Sequence, residues 1–202
     1  MGRMWYHTDG GMSMCARFEI TDSVKERLLA AAERADPTIP RLTPREVRPG
    51  DNAPALTAER GGTRALLLPW GMPRWDGKGL IINTRQETAD VKAAFRDCLR
   101  LRRAAIPAHV FYEWDAQKNR VTFALPGRDV LWLAGIYDAD GRCSVLTTEA
   151  NASVLPYHPR MPVLLEESAL RGWLTDESAA MAMLSREMPA LDAFPEQLTL
   201  FD

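Results

Sequence analysis

One segment constrains this chain more than any other: Ala104-Ala105-Ile106-Pro107-Ala108-His109-Val110-Phe111-Tyr112-Glu113-Trp114. A short run so dense in apolar and aromatic residues reads as a buried strand. A carboxylate set between Phe111, Tyr112 and Trp114 then loses much of its water. Desolvation raises a carboxyl pKa, so such a group can hold or accept a proton near neutral pH. The plain alternative is a strand-end glutamate with its head in solvent. The functional reading of Glu113 therefore requires other reactive groups to converge on the same place.

The chain has 202 residues, enough for one domain or two small ones with a substantial core. With 46% hydrophobic and 26% charged residues it has an ordinary globular composition. No apolar run approaches bilayer-spanning length, and the longest, around Ala65 to Pro69, reads as a strand. Met1-Gly2-Arg3-Met4-Trp5-Tyr6-His7 has no apolar core of the kind a secretory signal needs. Cys15, Cys98 and Cys143 lack Cys-x-x-Cys spacing, which argues against a disulfide framework and a zinc site and for a reducing compartment. The expectation is a cytoplasmic protein without metal or cofactor, and without membrane association. A net charge of -2 gives no general pull toward nucleic acid. Lys25, Lys78, Lys92 and Lys118 are the only lysines among 25 basic residues. Arginine suits bidentate phosphate contact, although a genomic composition bias produces the same skew. The clusters Arg41, Arg45, Arg48 and Arg96, Arg100, Arg102, Arg103 read equally well as solvated faces.

Along the chain, residues 1–14 look like a leader. A helix is expected from Asp22, with Ser23-x-x-Glu26 as a capping box and Val24, Leu28, Leu29 and Ala32 on one face. Residues 36–62 read as a long loop with short extended pieces. A strand over 64–70, a turn-rich stretch over 71–79, a short strand over 80–82 and a helix over 91–101 follow. Strands are expected at 104–113, 121–125, 130–138 and 142–148, the first three forming a meander and Asp138-Ala139-Asp140-Gly141 a hairpin turn. A short helix around 150–155, a strand over 162–165 and two short helices within 166–186 complete the core domain, 15–188. Residues 189–202 read as a peripheral tail. The expected fold is α+β in a single domain, with a mixed sheet curling toward a barrel and helices outside.

Three further places carry chemistry. His158 lies in the irregular segment Tyr157-His158-Pro159-Arg160-Met161-Pro162 and is the best general acid or base, against the plain reading of a structural or exposed histidine. Asn83 and Arg85 share one side of a strand end, where an amide and a guanidinium can grip an anion or a sugar; a helix cap and a salt bridge are the plain reading. Cys15 follows Met14. If translation starts at Met14 and that methionine is removed, Cys15 carries a free α-amine beside its thiol. An α-amine has a pKa of about 7.7–8.0 against about 10.4 for lysine, so near neutral pH its reactive fraction is larger by a factor of order 10². Such an amine attacks an aldehyde to give a Schiff base, and the adjacent thiol can then close a five-membered thiazolidine.

Several segments occur in a fixed order: Met14-Cys15-Ala16-Arg17-Phe18, Trp70-Gly71-Met72-Pro73, Asn83-Thr84-Arg85-Gln86-Glu87-Thr88, Ile106-Pro107-Ala108 with Phe111-Tyr112-Glu113-Trp114, Leu133-Ala134-Gly135-Ile136-Tyr137, Thr147-Thr148-Glu149-Ala150-Asn151, and His158-Pro159-Arg160-Met161-Pro162-Val163. Together they resemble the SRAP family, the SOS-response-associated peptidase domain of abasic-site processing proteins. The resemblance implies a covalent partner of abasic sites in single-stranded DNA, acting as a monomer. It implies Cys15 as the crosslinking residue, Asn83 as a hydrogen-bonding partner of the thiazolidine and opened sugar, Glu113 as the group that orients and deprotonates the α-amine, and His158 as the proton handler at the sugar oxygen. Arg17, Arg85 and Arg160 would contact DNA, and Trp70 and Pro73 would support the bases beside the gap. Stacking and phosphate contact are the usual basis of sequence-tolerant single-strand binding. No metal is implied.

The chain departs from the family pattern in three places. Ala16 stands where the family has glycine, Asp51-Asn52-Ala53-Pro54 replaces Asn-x-Ala-Pro, and Cys15 is not residue 2. Translation from Met14 or autoproteolytic loss of residues 1–14 would each free the cysteine, and with neither the protein is inactive in this form; a start at Met14 is favoured. Two other functions fit the same residues: a thiol peptidase or amidase using Cys15, His158 and Glu113, and a non-catalytic single-strand-binding module.

Overall fold

The computed structural model describes residues 16–196. In chain order it contains β1 (Arg17–Ile20), α1 (Asp22–Ala31), β2 (Arg34–Ala35), β3 (Arg45–Val47), β4 (Asn52–Glu59), β5 (Gly62–Pro69), β6 (Met72–Pro73), β7 (Leu80–Ile81), β8 (Asn83–Arg85), α2 (Gln86–Ala89) and α3 (Ala93–Leu101). There follow β9 (Arg103–Ala108), β10 (Phe111–Trp114), β11 (Arg120–Ala124), β12 (Leu131–Tyr137), β13 (Cys143–Glu149), β14 (Arg160–Pro162), β15 (Leu164–Leu165), α4 (Leu170–Thr175), α5 (Glu177–Leu184) and β16 (Asp192–Pro195).

The apolar run organises this arrangement, but it is two strands rather than one. β9 ends at Ala108 and β10 begins at Phe111. Between them His109 N–H donates to the Glu19 carbonyl (2.8 Å), and Glu19 N–H donates to the Val110 carbonyl (3.0 Å). β9 belongs to the larger sheet, with the order β14-β13-β12-β9-β4-β5-β2 and with β15 and β8 added to β12 and β13. β10 belongs to a five-stranded sheet, β16-β11-β10-β1-β3. Most pairings are antiparallel; β8 on β13 and β2 on β5 run parallel. The expected α+β class with a mixed sheet holds, whereas the expected curling toward a barrel does not. Both sheets are open, with β14 and β2 as the edges of one and β16 and β3 as the edges of the other. The break at His109–Val110 is the reason. β9 pairs with β12 while β10 pairs with β11, so the expected meander is divided between two sheets and no pairing closes either one.

One apolar core serves both sheets, joining Phe18, Phe111 and Phe123 of the smaller to Leu56, Ile106 and Trp132 of the larger. β4 is the element that the local signals hid. Asn52, Ala53, Pro54 and Ala55 have weak strand propensity, but Ala53, Ala55 and Leu56 are buried against β5 and β9, and packing decides β structure more than propensity does. Pro107, which has no N–H to donate, lies beyond the β4–β9 ladder at Leu56–Ala105 and Thr57–Ala104. Helix α1 is capped by Thr21, whose hydroxyl accepts from Val24 N–H (3.4 Å), rather than by a Ser23 box. The expected helix near 150–155 is a series of hydrogen-bonded turns. Met188 and Leu191 are buried and β16 is an edge strand on β11, so residues 188–195 are built into the fold.

The arginine cluster after residue 95 is structural. Arg103 is buried and donates to the carbonyls of Leu99 (2.9 Å), Leu174 (3.4 Å) and Trp173, satisfying groups that the ends of α3 and α4 leave open. Arg100 pairs with Asp90, and Arg102 donates to the Tyr137 carbonyl. Among the described residues no helix is long and apolar enough to cross a membrane.

Candidate functional site

Glu113 sits in β10 with Arg17↔Tyr112 pairing on one side and Glu113↔Val121 on the other. It is 1% exposed, so the alternative of a glutamate head in solvent does not hold. The residues on either side of it are also committed. Tyr112 donates from its hydroxyl to Glu19 (2.6 Å) and lies beneath the Arg120 guanidinium (4.7 Å). Burial and the Glu19 carboxylate push the Tyr112 pKa up. Arg17, on β1, lies over the Trp114 ring (5.0 Å) and pairs with Glu46 (3.4 Å). Arg17, Trp114, Lys118, Asn119, Arg120 and Glu196 line a shallow cavity of about 340 Å³. Its three cations exceed by one the two carboxylates, Glu46 and Glu196, that pair with Arg17 and Arg120, which leaves a weakly basic, aromatic platform at the end of the smaller sheet.

The second part of the site is built around β13. β8 lies parallel to it, placing Asn83 beside Val145 and Arg85 beside Thr147. β14 lies antiparallel to it, placing Arg160 beside Glu149. Asn83 is buried, and its strand is held from behind. The Trp70 indole N–H donates to the Ile82 carbonyl (2.9 Å), and the hydroxyls of Thr84 and Ser144 are hydrogen-bonded (2.8 Å). Arg85 is exposed at the strand end. Trp70 is 0% exposed and packs on Phe18 at 5.1 Å. A ring so enclosed cannot lie against a base, so its place is behind the strand that carries Asn83. The same contact ties that strand to β1, which carries Arg17.

His158 closes the run of turns after β13, with its N–H on the Val154 carbonyl (3.0 Å). It is 2% exposed. Its Nδ1 lies 3.0 Å from the Arg160 carbonyl oxygen and 3.2 Å from the Arg160 nitrogen, so in either tautomer this atom is committed to the Arg160 backbone. Nε2 is buried without a hydrogen-bond partner among the described residues. Burial holds the His158 pKa below its usual value, and the positive charge of Arg160 acts in the same direction. The ring is thus neutral near pH 7, with one nitrogen available for proton transfer. The preceding Tyr157 packs edge-on against Phe123 of β11 (5.8 Å), and Phe123 stacks on Phe111 of β10 (5.1 Å). The aromatic side chains therefore carry the His158 turn onto the sheet that holds Glu113. Arg160 was expected to contact DNA. Its two terminal nitrogens instead form a fork with Glu87 (2.7 and 2.8 Å), and one also donates to the Thr147 carbonyl (2.8 Å).

Pro73 is exposed on the β6–β7 hairpin, which leads directly into Ile82 and Asn83. Gly71 opens this hairpin at φ 126°, and a Cβ there would lie 2.8 Å from Leu80, so no other residue fits without displacement. At the tip Trp75 is 93% exposed, beside an Arg74–Asp76 pair (3.3 Å). The sequence reading passed over Trp75. Its signal is a tryptophan inside a turn of Gly, Pro and Asp, where an indole has no packing to do.

Cys15, the expected nucleophile, and the leader 1–14 lie outside the described residues, as does the end of the tail from 197. Ala16 packs against the core. Asp51 accepts from Arg48 N–H (3.0 Å), closing the turn before β4, which gives this family departure a local structural role. Cys98 and Cys143 are buried, and burial pushes the Cys143 thiol up to about 12, which does not suit it to act as a thiolate. Among the described residues no group of three or more His, Cys, Asp or Glu could hold a metal ion.

The chain is similar to proteins of known sequence and structure. The abasic site processing protein YoaM of Bacillus subtilis is 30% identical over 164 residues, covering 73% of this chain and 72% of that protein. The abasic site processing protein YedK of Escherichia coli is 26% identical over 189 residues, covering 81% of each. A crystal structure of a Bordetella bronchiseptica protein superposes with a TM-score of 0.72 at 24% identity, covering 91% of this chain and all of that one, and shares its fold. The profile of the SOS response associated peptidase (SRAP) family matches residues 14–199, and the protein belongs to that family.

Proposed function

We propose that the protein captures abasic sites in single-stranded DNA as a covalent DNA–protein crosslink through Cys15, once residues 1–14 are absent. The observation that carries this reading is a carboxylate, Glu113, buried in the sheet that also bears the cavity of Arg17, Trp114 and Arg120, together with a buried neutral histidine whose preceding residue packs on that sheet. Membership of the SRAP family and similarity to proteins named for abasic site processing support it.

Glu113 accepts a proton from the Cys15 α-ammonium, and the resulting amine attacks C1′ of the ring-opened deoxyribose. Loss of water gives an imine. The Cys15 thiol then adds to that carbon, its proton passing to nitrogen, and the new C–S bond closes a thiazolidine. His158 Nε2 exchanges protons with the sugar oxygen during ring opening, and Asn83 hydrogen-bonds the opened sugar. Arg17 and Arg85 contact phosphates. Pro73 and the exposed Trp75 support neighbouring bases, while Trp70 acts indirectly by holding the Asn83 strand. The protein works as a cytoplasmic monomer on DNA. In this reading a peptidase activity has one place, the autoproteolytic step that would expose Cys15.

The test is a denaturing gel. Protein beginning at Met14, with that methionine removed, is incubated with single-stranded DNA carrying one abasic site. A heat-stable adduct that disappears in Cys15→Ala, and that retention of Met1 or acetylation of the α-amine prevents, is the expected result. Equal adduct from acetylated and free protein would rule out the amine chemistry. Cleavage of a peptide without any adduct would favour the thiol peptidase.

A further inference from the structure

We propose that the Glu87–Arg160 ion pair is a positioning device that sets the orientation of His158 and joins it to the strand carrying Asn83. The inference rests on the reading that His158 handles a proton of the DNA sugar. The geometry is a short relay. Glu87 is in the first turn of α2, two residues after Arg85, and that turn is also tied to β13 because Gln86 donates to the Thr148 hydroxyl (2.8 Å). Glu87 holds both terminal nitrogens of Arg160. The Arg160 backbone in turn holds His158 Nδ1. A bidentate fork fixes direction as well as distance, so β8, α2, β14 and the histidine ring move as one unit. Burial opposes the charge on Glu87, yet the hydrogen bonds and charge of Arg160 prevail and lower its pKa, so the pair is ionised at neutral pH. The arginine so engaged is a positioning residue rather than a phosphate ligand.

The measurement is an NMR titration of the histidine ring, assigned with His158→Gln, beside crosslinking rates. Among the described residues Arg160 is the charge that acts on His158. Arg160→Gln should therefore raise the His158 midpoint. Glu87→Gln, which leaves the Arg160 charge uncompensated, should lower it. Arg160→Lys keeps the charge without the fork, so the midpoint should stay while the crosslinking rate falls about tenfold, as loss of orientation predicts. The proposal is overturned if Glu87→Gln leaves both titration and rate unchanged, or if it raises DNA affinity, the mark of an arginine released to bind phosphate. The titration needs no DNA. Failure of wild-type protein to crosslink would sink the proposed function and leave the positioning relay to stand or fall by itself.

A separate observation lies at the edge of the smaller sheet. β16 fixes the chain to β11 as far as Glu196, whose N–H donates to the Arg120 carbonyl (2.8 Å). The sequence continues Gln197-Leu198-Thr199-Leu200-Phe201, outside the described residues. These five uncharged residues hold three large apolar side chains led by an amide. That is the chemistry of a docking peptide, with apolar anchors for a cleft and an amide for its polar edge. Glu196 lines the same cavity as Arg17, Trp114 and Arg120, so whatever the segment binds is held beside the DNA platform. We infer that residues 197–201 dock into an apolar cleft on a protein that itself rides on DNA. The probe is a purified bacterial sliding clamp, titrated against a labelled peptide of residues 195–202 and against the full chain. Binding with a Kd of about 1–100 μM that is lost in Leu200→Ala/Phe201→Ala, with crosslinking to free single-stranded DNA unchanged, is expected. No binding in that range, or binding that survives the double substitution, overturns the inference.

Discussion

The wall around β13 and the β6–β7 hairpin stand next to each other in the chain and are built on opposite principles. In the wall, Asn83 and His158 are buried and each is backed by a hydrogen bond from a neighbouring element: Trp70 on Ile82, the Arg160 backbone on His158. In the hairpin, Trp75 is almost wholly exposed, and the turn is closed by bonds within itself: the Arg74–Asp76 pair, Lys78 N–H on the Asp76 carboxylate and the backbone around Gly77 and Gly79. The difference separates two tasks. Proton transfer needs groups fixed to within a fraction of an ångström and removed from water, whereas contact with an irregular single strand needs an accessible aromatic face. A fold can supply the first only from its core and the second only from its surface.

The comparison is broken most directly by a substitution in the buried part. Glu113→Gln keeps shape and removes the base, so the crosslinking rate should fall by about 10²–10⁴-fold while DNA affinity, followed by fluorescence anisotropy, barely moves. An equal loss in both would mean that the carboxylate serves binding. In the hairpin the expectation reverses. Trp75→Ala should weaken DNA binding about tenfold, the loss of one stacked base at roughly 1–3 kcal/mol. Its unfolding free energy should stay within about 0.5 kcal/mol of wild type, as for an exposed site. A destabilised Trp75→Ala protein would show that the indole packs after all.

The smallest effect is on stability against pH. Burial lowers the His158 pKa below 6.5, so as pH falls below that value the unfolded chain takes up the proton first. The stability contributed by the neutral ring is therefore complete above about pH 6.5 and lost progressively toward the lower folded pKa. Denaturation at pH 7 and pH 5 should show a smaller acid loss in His158→Gln than in wild type. Identical losses would place the ring in water.

Some of this was legible in advance because the signals are local. The apolar run at 104–114 announced a buried strand, though not its break into two, and its lone carboxylate pointed to Glu113. The Pro and Gly around Trp75 announced a turn, and Asn83 and Arg85 stood at a strand end as expected. What stayed hidden depended on distant partners. β4 carries alanines and a proline where a strand was not expected, and only β5 and β9 on either side make it one. Arg160 looks like any surface arginine until Glu87, 73 positions away, meets it.

By itself the chain's order of residues determined the α+β class, the site of the buried carboxylate, the family and the position of its turns, since each follows from side-chain chemistry within a few neighbours. Tertiary structure alone decided that the sheets stay open, that Trp70 is a buried support rather than a platform, and that His158 has one committed nitrogen and one available. Those outcomes turn on pairing between segments tens of residues apart, and such pairing leaves no mark on either segment alone.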